Sequence, residues 1–116
     1  MPKLFQDRTE PARCPFCRGD IPRPEEVEGD QWFDFTGGQC RCGAFYALDP
    51  TARNGGAVFL QTLLMAADGD MERALEMSEG EDYDCGYVHK YNNEIHRLDP
   101  TAFGTLYFLR LRGGGR

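Results

Sequence analysis

Two short cysteine pairs constrain this chain more than any other feature: Cys14-Pro15-Phe16-Cys17 and Cys40-Arg41-Cys42-Gly43. Each pair sits beside a residue that bends backbone, Pro15 in the first and Gly43 in the second. Two thiols this close in sequence can be presented together only from a single tight turn. Two such turns brought together offer four sulfurs to one tetrahedral ion. Zinc accepts sulfur ligands in that geometry at about 2.3 Å. The 22 residues from Arg18 to Gln39 leave room for a hairpin between the pairs, and spacing of this kind marks zinc sites. The second pair has one intervening residue instead of two, which tightens its bite. Gly43 is free to take positive φ, so that backbone N–H groups turn toward a sulfur.

Other chemistries use the same residues and stay open at this level. Cys-Pro-Phe-Cys is also the form of a glutaredoxin-type redox pair. That chemistry needs a preceding strand and a helix opening at the motif to lower a thiol pKa. Only 13 residues precede Cys14, and Arg18-Gly19-Asp20-Ile21-Pro22-Arg23-Pro24 opposes a helix. Four thiolates bind iron as well, although the one-residue second spacer suits a rubredoxin-like site less. Disulfides require an oxidising compartment. Structural zinc, with Cys14, Cys17, Cys40 and Cys42 as ligands, is the preferred reading.

The region from Arg13 to Leu48 resembles the zinc ribbon family, on the strength of Cys14-Pro15-Phe16-Cys17 and Cys40-Arg41-Cys42-Gly43. The resemblance implies a closed, structural Zn2+ site on a small antiparallel sheet. The rest of the chain resembles no named family.

Size and charge limit the function classes. The chain has 116 residues and a net charge of −6, with acidic excess in both halves. A zinc tetrathiolate adds about −2. Phosphate-backbone affinity comes from clustered Lys and Arg, so a general nucleic-acid surface is disfavoured. A local patch of Arg13, Arg18, Arg23 and Arg41 is the alternative. No apolar run approaches the roughly 20 residues needed to span a bilayer. The N-terminal residues lack an export signal, so the expectation is a cytoplasmic protein without a membrane partner.

The expected elements follow from pattern. Residues 31–35 form an aromatic strand and 44–48 a second one, with Trp32, Phe35, Phe45 and Tyr46 as a small ribbon core. Val58 to Ala67 is a buried helix. Asp70 caps a short helix through Met77, with Met71, Ala74 and Leu75 on one face. Residues 85–93 are ambiguous and weakly helical. Residues 94–98 and 105–112 form a C-terminal hairpin. Leu-Asp-Pro-Thr-Ala occurs at 48–52 and again at 98–102, which reads as shared turn chemistry after a strand.

Two further features compete for function. Cys85, His89 and His96, with Asp82 and Asp84, are candidates for a second metal or acid–base site, because a helix would put Cys85 and His89 on one face. Packing and solubility are the preferred roles for them. Leu109-Arg110-Leu111-Arg112-Gly113-Gly114 is identical in letters to the tail of ubiquitin, and that resemblance implies a strand feeding a tail that is trimmed to Gly114 and conjugated.

The expected architecture is α+β: a flexible segment 1–12, a zinc ribbon over 13–48, an α+β lobe over 49–112 packed on the ribbon, and a flexible tail 113–116. The lobe would comprise a buried helix, a short second helix and the C-terminal antiparallel hairpin. The expected function is a non-enzymatic zinc-binding protein whose metal supports a surface for a protein partner. A nucleic-acid-associated ribbon ranks second, and a conjugated ubiquitin-like tail third.

Overall fold

The computed structural model describes residues 8–27 and 33–112. Trp32 and the Gly113–Gly114 tail, both singled out above, lie outside the described residues. The fold is α+β. Six strands form one antiparallel sheet: β1 (Glu10–Pro11), β2 (Gly37–Gln39), β3 (Phe45–Asp49), β4 (Tyr83–Asn92), β5 (Arg97–Leu98) and β6 (Gly104–Leu111), in the order β1-β5-β4-β6-β3-β2. Two helices, α1 (Gly55–Ala66) and α2 (Met71–Glu76), connect β3 to β4. Among the described residues no helix is long and apolar enough to cross a membrane.

Side chains alternate across a strand, and here both faces of the sheet are used. Tyr46 and Leu48 of β3, Val88 and Tyr91 of β4, and Leu106 and Phe108 of β6 form one core. The N-terminal segment covers it with Ala12, Cys14 and Ile21, and the β2–β3 turn adds Cys40. On the opposite face Tyr83 and Leu109 pack with Leu63, Leu64 and Ala67 of the helical region and with Ala74 of α2. The expected ribbon aromatics are therefore divided. Tyr46 stacks on Phe108 at 5.0 Å, whereas Phe45 joins the helix side.

The first strand differs from the expectation over 31–35. Among its described residues, Phe33 to Phe35 are not strand, and β2 begins at Gly37. The cause is a side chain that occupies the backbone. Buried Gln61 of α1 accepts from Phe35 N through Oε1 at 3.0 Å and donates to Phe35 O through Nε2 at 2.7 Å. Phe35 thus satisfies both main-chain groups without a strand neighbour. Thr36-Gly37-Gly38 has the composition of a turn, yet Gly37 and Gly38 form β2 with Gln39. A Cβ at Gly38 would come 2.7 Å from the Tyr46 hydroxyl, so the ring beneath excludes larger residues.

The C-terminal hairpin is also corrected. Of residues 85–93, weakly helical by pattern, all but Asn93 belong to β4, and β4 rather than 94–98 is the hairpin partner of β6. Only Arg97–Leu98 of the expected strand is extended, and it pairs with β4 and β1. Residues 94–96 are a turn because Asn92 Oδ1 accepts from Glu94 N and Ile95 N. A bulge between Val88 and Tyr91, with Lys90 at φ 60°, puts those two residues on one face despite their odd spacing. Tyr87 and Tyr91 consequently do not share an environment: Tyr87 is exposed and Tyr91 buried.

The two Leu-Asp-Pro-Thr-Ala copies make the same turn. Asp49 Oδ1 accepts from Thr51 N and its hydroxyl, each at 3.1 Å, and Asp99 Oδ1 accepts the equivalent pair from Thr101 at 3.0 Å. The Asp70 cap forms as expected, accepting from Arg73 N. Of the expected apolar face of α2, Ala74 is buried while Met71 and Leu75 are exposed.

The Gln61 clamp generates a test. Gln61→Ala leaves both Phe35 groups without this partner and is expected to cost about 1–3 kcal/mol in urea unfolding. A cost within a few tenths of Ala substitutions at exposed α1 positions would contradict the clamp.

Candidate metal centre

The first cysteine pair is carried on a turn closed by Cys14 N to Gly19 O and Arg18 N to Cys14 O, at 2.9 and 2.8 Å. Arg18 takes φ 65° to complete it. The second pair lies in the turn between β2 and β3, where Cys40 N donates to Ala44 O at 2.7 Å and Gly43 N to Cys40 O at 2.8 Å. Gly43 has φ 102°, as its position beside the pair suggested. Backbone amides turn toward sulfur on the first knuckle: Phe16 N donates to Cys14 Sγ and Gly19 N to Cys17 Sγ, both at 3.4 Å.

The two turns meet. All four Sγ atoms lie within 4.8 Å of one another. Across the knuckles, Cys14 and Cys42 are 3.7 Å apart and Cys17 and Cys40 are 3.6 Å apart. A zinc tetrathiolate with bonds of about 2.3 Å has tetrahedral edges of about 3.8 Å, so the donor set fits the ion. The spacing is too long for a disulfide, whose sulfurs sit at about 2.0 Å, and all four residues are free cysteines. Cys14 and Cys40 are buried, Cys42 is half-buried and Cys17 is exposed.

As thiols, Cys14 and Cys40 are pushed in the opposite direction from Cys17. Burial pushes Cys14 up to about 12 and also raises Cys40. The Gly19 amide, followed by the hydrogen bond to Cys40, holds Cys17 down at about 7. Sulfurs packed this closely gain most from a cation that replaces their protons and neutralises several thiolates at once.

The first knuckle is seated on the sheet. Pro15 lies on Gly86 of β4, where an added Cβ would come within 3.0 Å of the proline ring. The Arg110 guanidinium of β6 stands 4.7 Å from the centroid of the Phe16 ring. Neither contact had a signal in the sequence, because both join segments far apart in the chain.

The second candidate site is dispersed. Cys85 Sγ donates to Glu79 Oε2 at 3.1 Å. His89 Nδ1 is 3.4 Å from the Thr105 hydroxyl. Asp84 pairs with Arg112 at 2.9 Å, and Asp82 accepts from Ser78 N. His96 lies in the β4–β5 turn, with Nε2 donating to Ile21 O at 2.8 Å and Nδ1 2.6 Å from the Tyr91 hydroxyl. Its role is to tie that turn to the segment following the first knuckle. Among the described residues the four cysteines are the one group of three or more potential ligands close enough to hold a metal ion.

Comparison with family models, with curated proteins and with solved structures found no match to this chain.

The centre predicts a contrast between cysteines. Cys40→Ser is expected to lower both metal content and melting temperature, while Cys85→Ser keeps full metal content. Zinc affinity is expected to rise from about pH 6 to about pH 8, because loading expels thiol protons. Metal analysis and competition with a chromogenic chelator check both. Equal metal content in the two variants, or a pH-independent affinity, would contradict the assignment.

Proposed function

We propose that this chain is a small, non-enzymatic zinc-binding protein in which Cys14, Cys17, Cys40 and Cys42 hold one Zn2+ in a closed zinc-ribbon site. The observation that carries the reading is the convergence of four sulfurs within 4.8 Å from two separate turns. Four protein thiolates fill the coordination sphere and leave no open position for water or substrate, which is the mark of a structural site. The ion's role is to pin the N-terminal segment against the sheet, so its binding free energy is also folding free energy. The site requires reduced cysteines, which suits the cytoplasm.

The function supported by that scaffold is protein interaction. Net charge is −6, and two of the four arginines near the knuckles each make one hydrogen bond within the fold. Arg13 donates to Arg18 O and Arg23 to Glu94 O. The nucleic-acid reading would need a cluster of cationic groups strong enough to hold phosphates against the acidic net charge.

Two outcomes test this reading. Prolonged chelation is expected to lower the melting temperature, and zinc is expected to restore it. The loaded protein is expected to show no salt-dependent binding to random-sequence single- or double-stranded nucleic acid at low ionic strength. Steep salt-dependent binding that is lost in a variant with Arg18 and Arg41 replaced by Ala would favour the nucleic-acid reading instead.

A further inference from the structure

The helices cover one face of β4 and β6 only in part. Tyr83 lies 6.1 Å from Phe59 of α1, and Leu109 belongs to the same core. Beyond them the same face of β4 carries Cys85, Tyr87 and His89, and Tyr87 is paired across to Tyr107 of β6. Tyr87 is 51% exposed and His89 is exposed. Their rings form one row: Tyr87 meets Tyr107 edge-on at 5.3 Å and stacks with His89 at 6.2 Å. Tyrosines clustered at the surface are common anchors of protein interfaces.

The row ends in negative charge. Cys85, next to Tyr87 on this face, donates to Glu79, and exposed Glu81 and Asp82 follow in the same loop. Cys85 is pushed up to about 11, first by burial and then by its bond to Glu79. Tyr87 is raised by burial, then by Cys85 and Glu79. The nearby arginines are occupied. Arg112 pairs with Asp84 and donates to Gly80 O, and Arg110 stands over Phe16 on the knuckle side of the sheet. At the other end His89 borders a small cavity where Arg8 and Lys90 meet Glu10 and Asp99, so charge is mixed there.

We propose that the Tyr87–Tyr107–His89 row is a docking surface for a basic peptide segment of a protein partner, with a lysine or arginine seated between the Tyr87 ring and the Glu79 carboxylate. An apolar side chain of the same segment lies against Tyr107. The proposal rests on the interaction reading above and names its surface and the chemistry of its partner. Charge complementarity selects the occupant. A tyrosine face attracts a cation, and a neighbouring carboxylate adds a charge-assisted hydrogen bond. A single-stranded nucleic acid could stack on the same rings, but it would bring phosphates to the acidic end.

The test is a titration of the zinc-loaded, isotope-labelled full chain, followed by amide chemical shifts. The probes are a short peptide of lysines and leucines, its counterpart with glutamates for lysines, and a single-stranded RNA oligonucleotide. The lysine peptide is expected to shift Glu79, Tyr87 and Tyr107 and the glutamate peptide to leave them unmoved. Tyr87→Ala and Glu79→Gln are each expected to weaken lysine-peptide binding about tenfold, while Tyr87→Phe, which keeps the ring face, binds within about twofold of the parent. Unchanged zinc content in every variant separates this result from a failure of the metal site. Lysine-peptide binding away from the row, equal response to both peptides, or no binding overturns the docking surface. Shifts of the row by RNA alone overturn both this surface and the protein-interaction reading.

Discussion

Convergence of two cysteine turns on one point is the constraint on which the N-terminal half depends. The chain from Thr9 to Val27 has little regular structure, with two residues of strand and a few bridges. Yet it covers one face of the central sheet, with Ala12, Cys14 and Ile21 buried against Tyr46, Val88 and Phe108. Two anchors hold it there. One is the sulfur cluster, which joins this segment to the β2–β3 turn. The other is the set of contacts that seat Pro15 and Phe16 on β4 and β6 and tie Ile21 to His96. The first anchor is the one proposed to hold a cation, and the second is made by the protein alone. A sheet without that cover would expose the Tyr46 and Phe108 rings to water.

The two faces of the sheet are closed in different ways. The knuckle side is closed by the metal segment. The helix side is closed over Tyr83 and Leu109 but open at Tyr87. β4 and β6 contribute to both, so loss of the knuckle would remove support from behind the open face. On the proposed reading, that coupling would make a structural metal site matter to binding without placing the ion in contact with a partner.

The cysteine spacing made the centre legible, because two close pairs admit few geometries. The buried helix, the short capped helix and β3 were legible from periodicity, from Asp70 and from an aromatic run. The repeated Asp-Pro-Thr turn was legible because its hydrogen bonds are local. The failures share one cause, tertiary partners that local pattern does not contain. Phe35 reads as strand, yet Gln61, far along the chain, takes its backbone groups. Gly37 and Gly38 read as a turn, yet Tyr46 leaves space for nothing larger. Residues 85–93 read as ambiguous because Gly86 and two asparagines depress every propensity. Gly86 lies under Pro15, where a Cβ would be tight against the ring, and Asn92 accepts the hydrogen bonds of the turn toward β5. His96 has no sequence signal at all for its bond to Ile21 O.

The most direct measurement is X-ray absorption at the zinc edge on protein purified under reducing conditions and loaded with one equivalent of metal. The account predicts a single shell of four sulfurs at about 2.3 Å. A shell containing nitrogen or oxygen, fewer than four sulfurs, or metal that fails to bind while the cysteines remain reduced would contradict it.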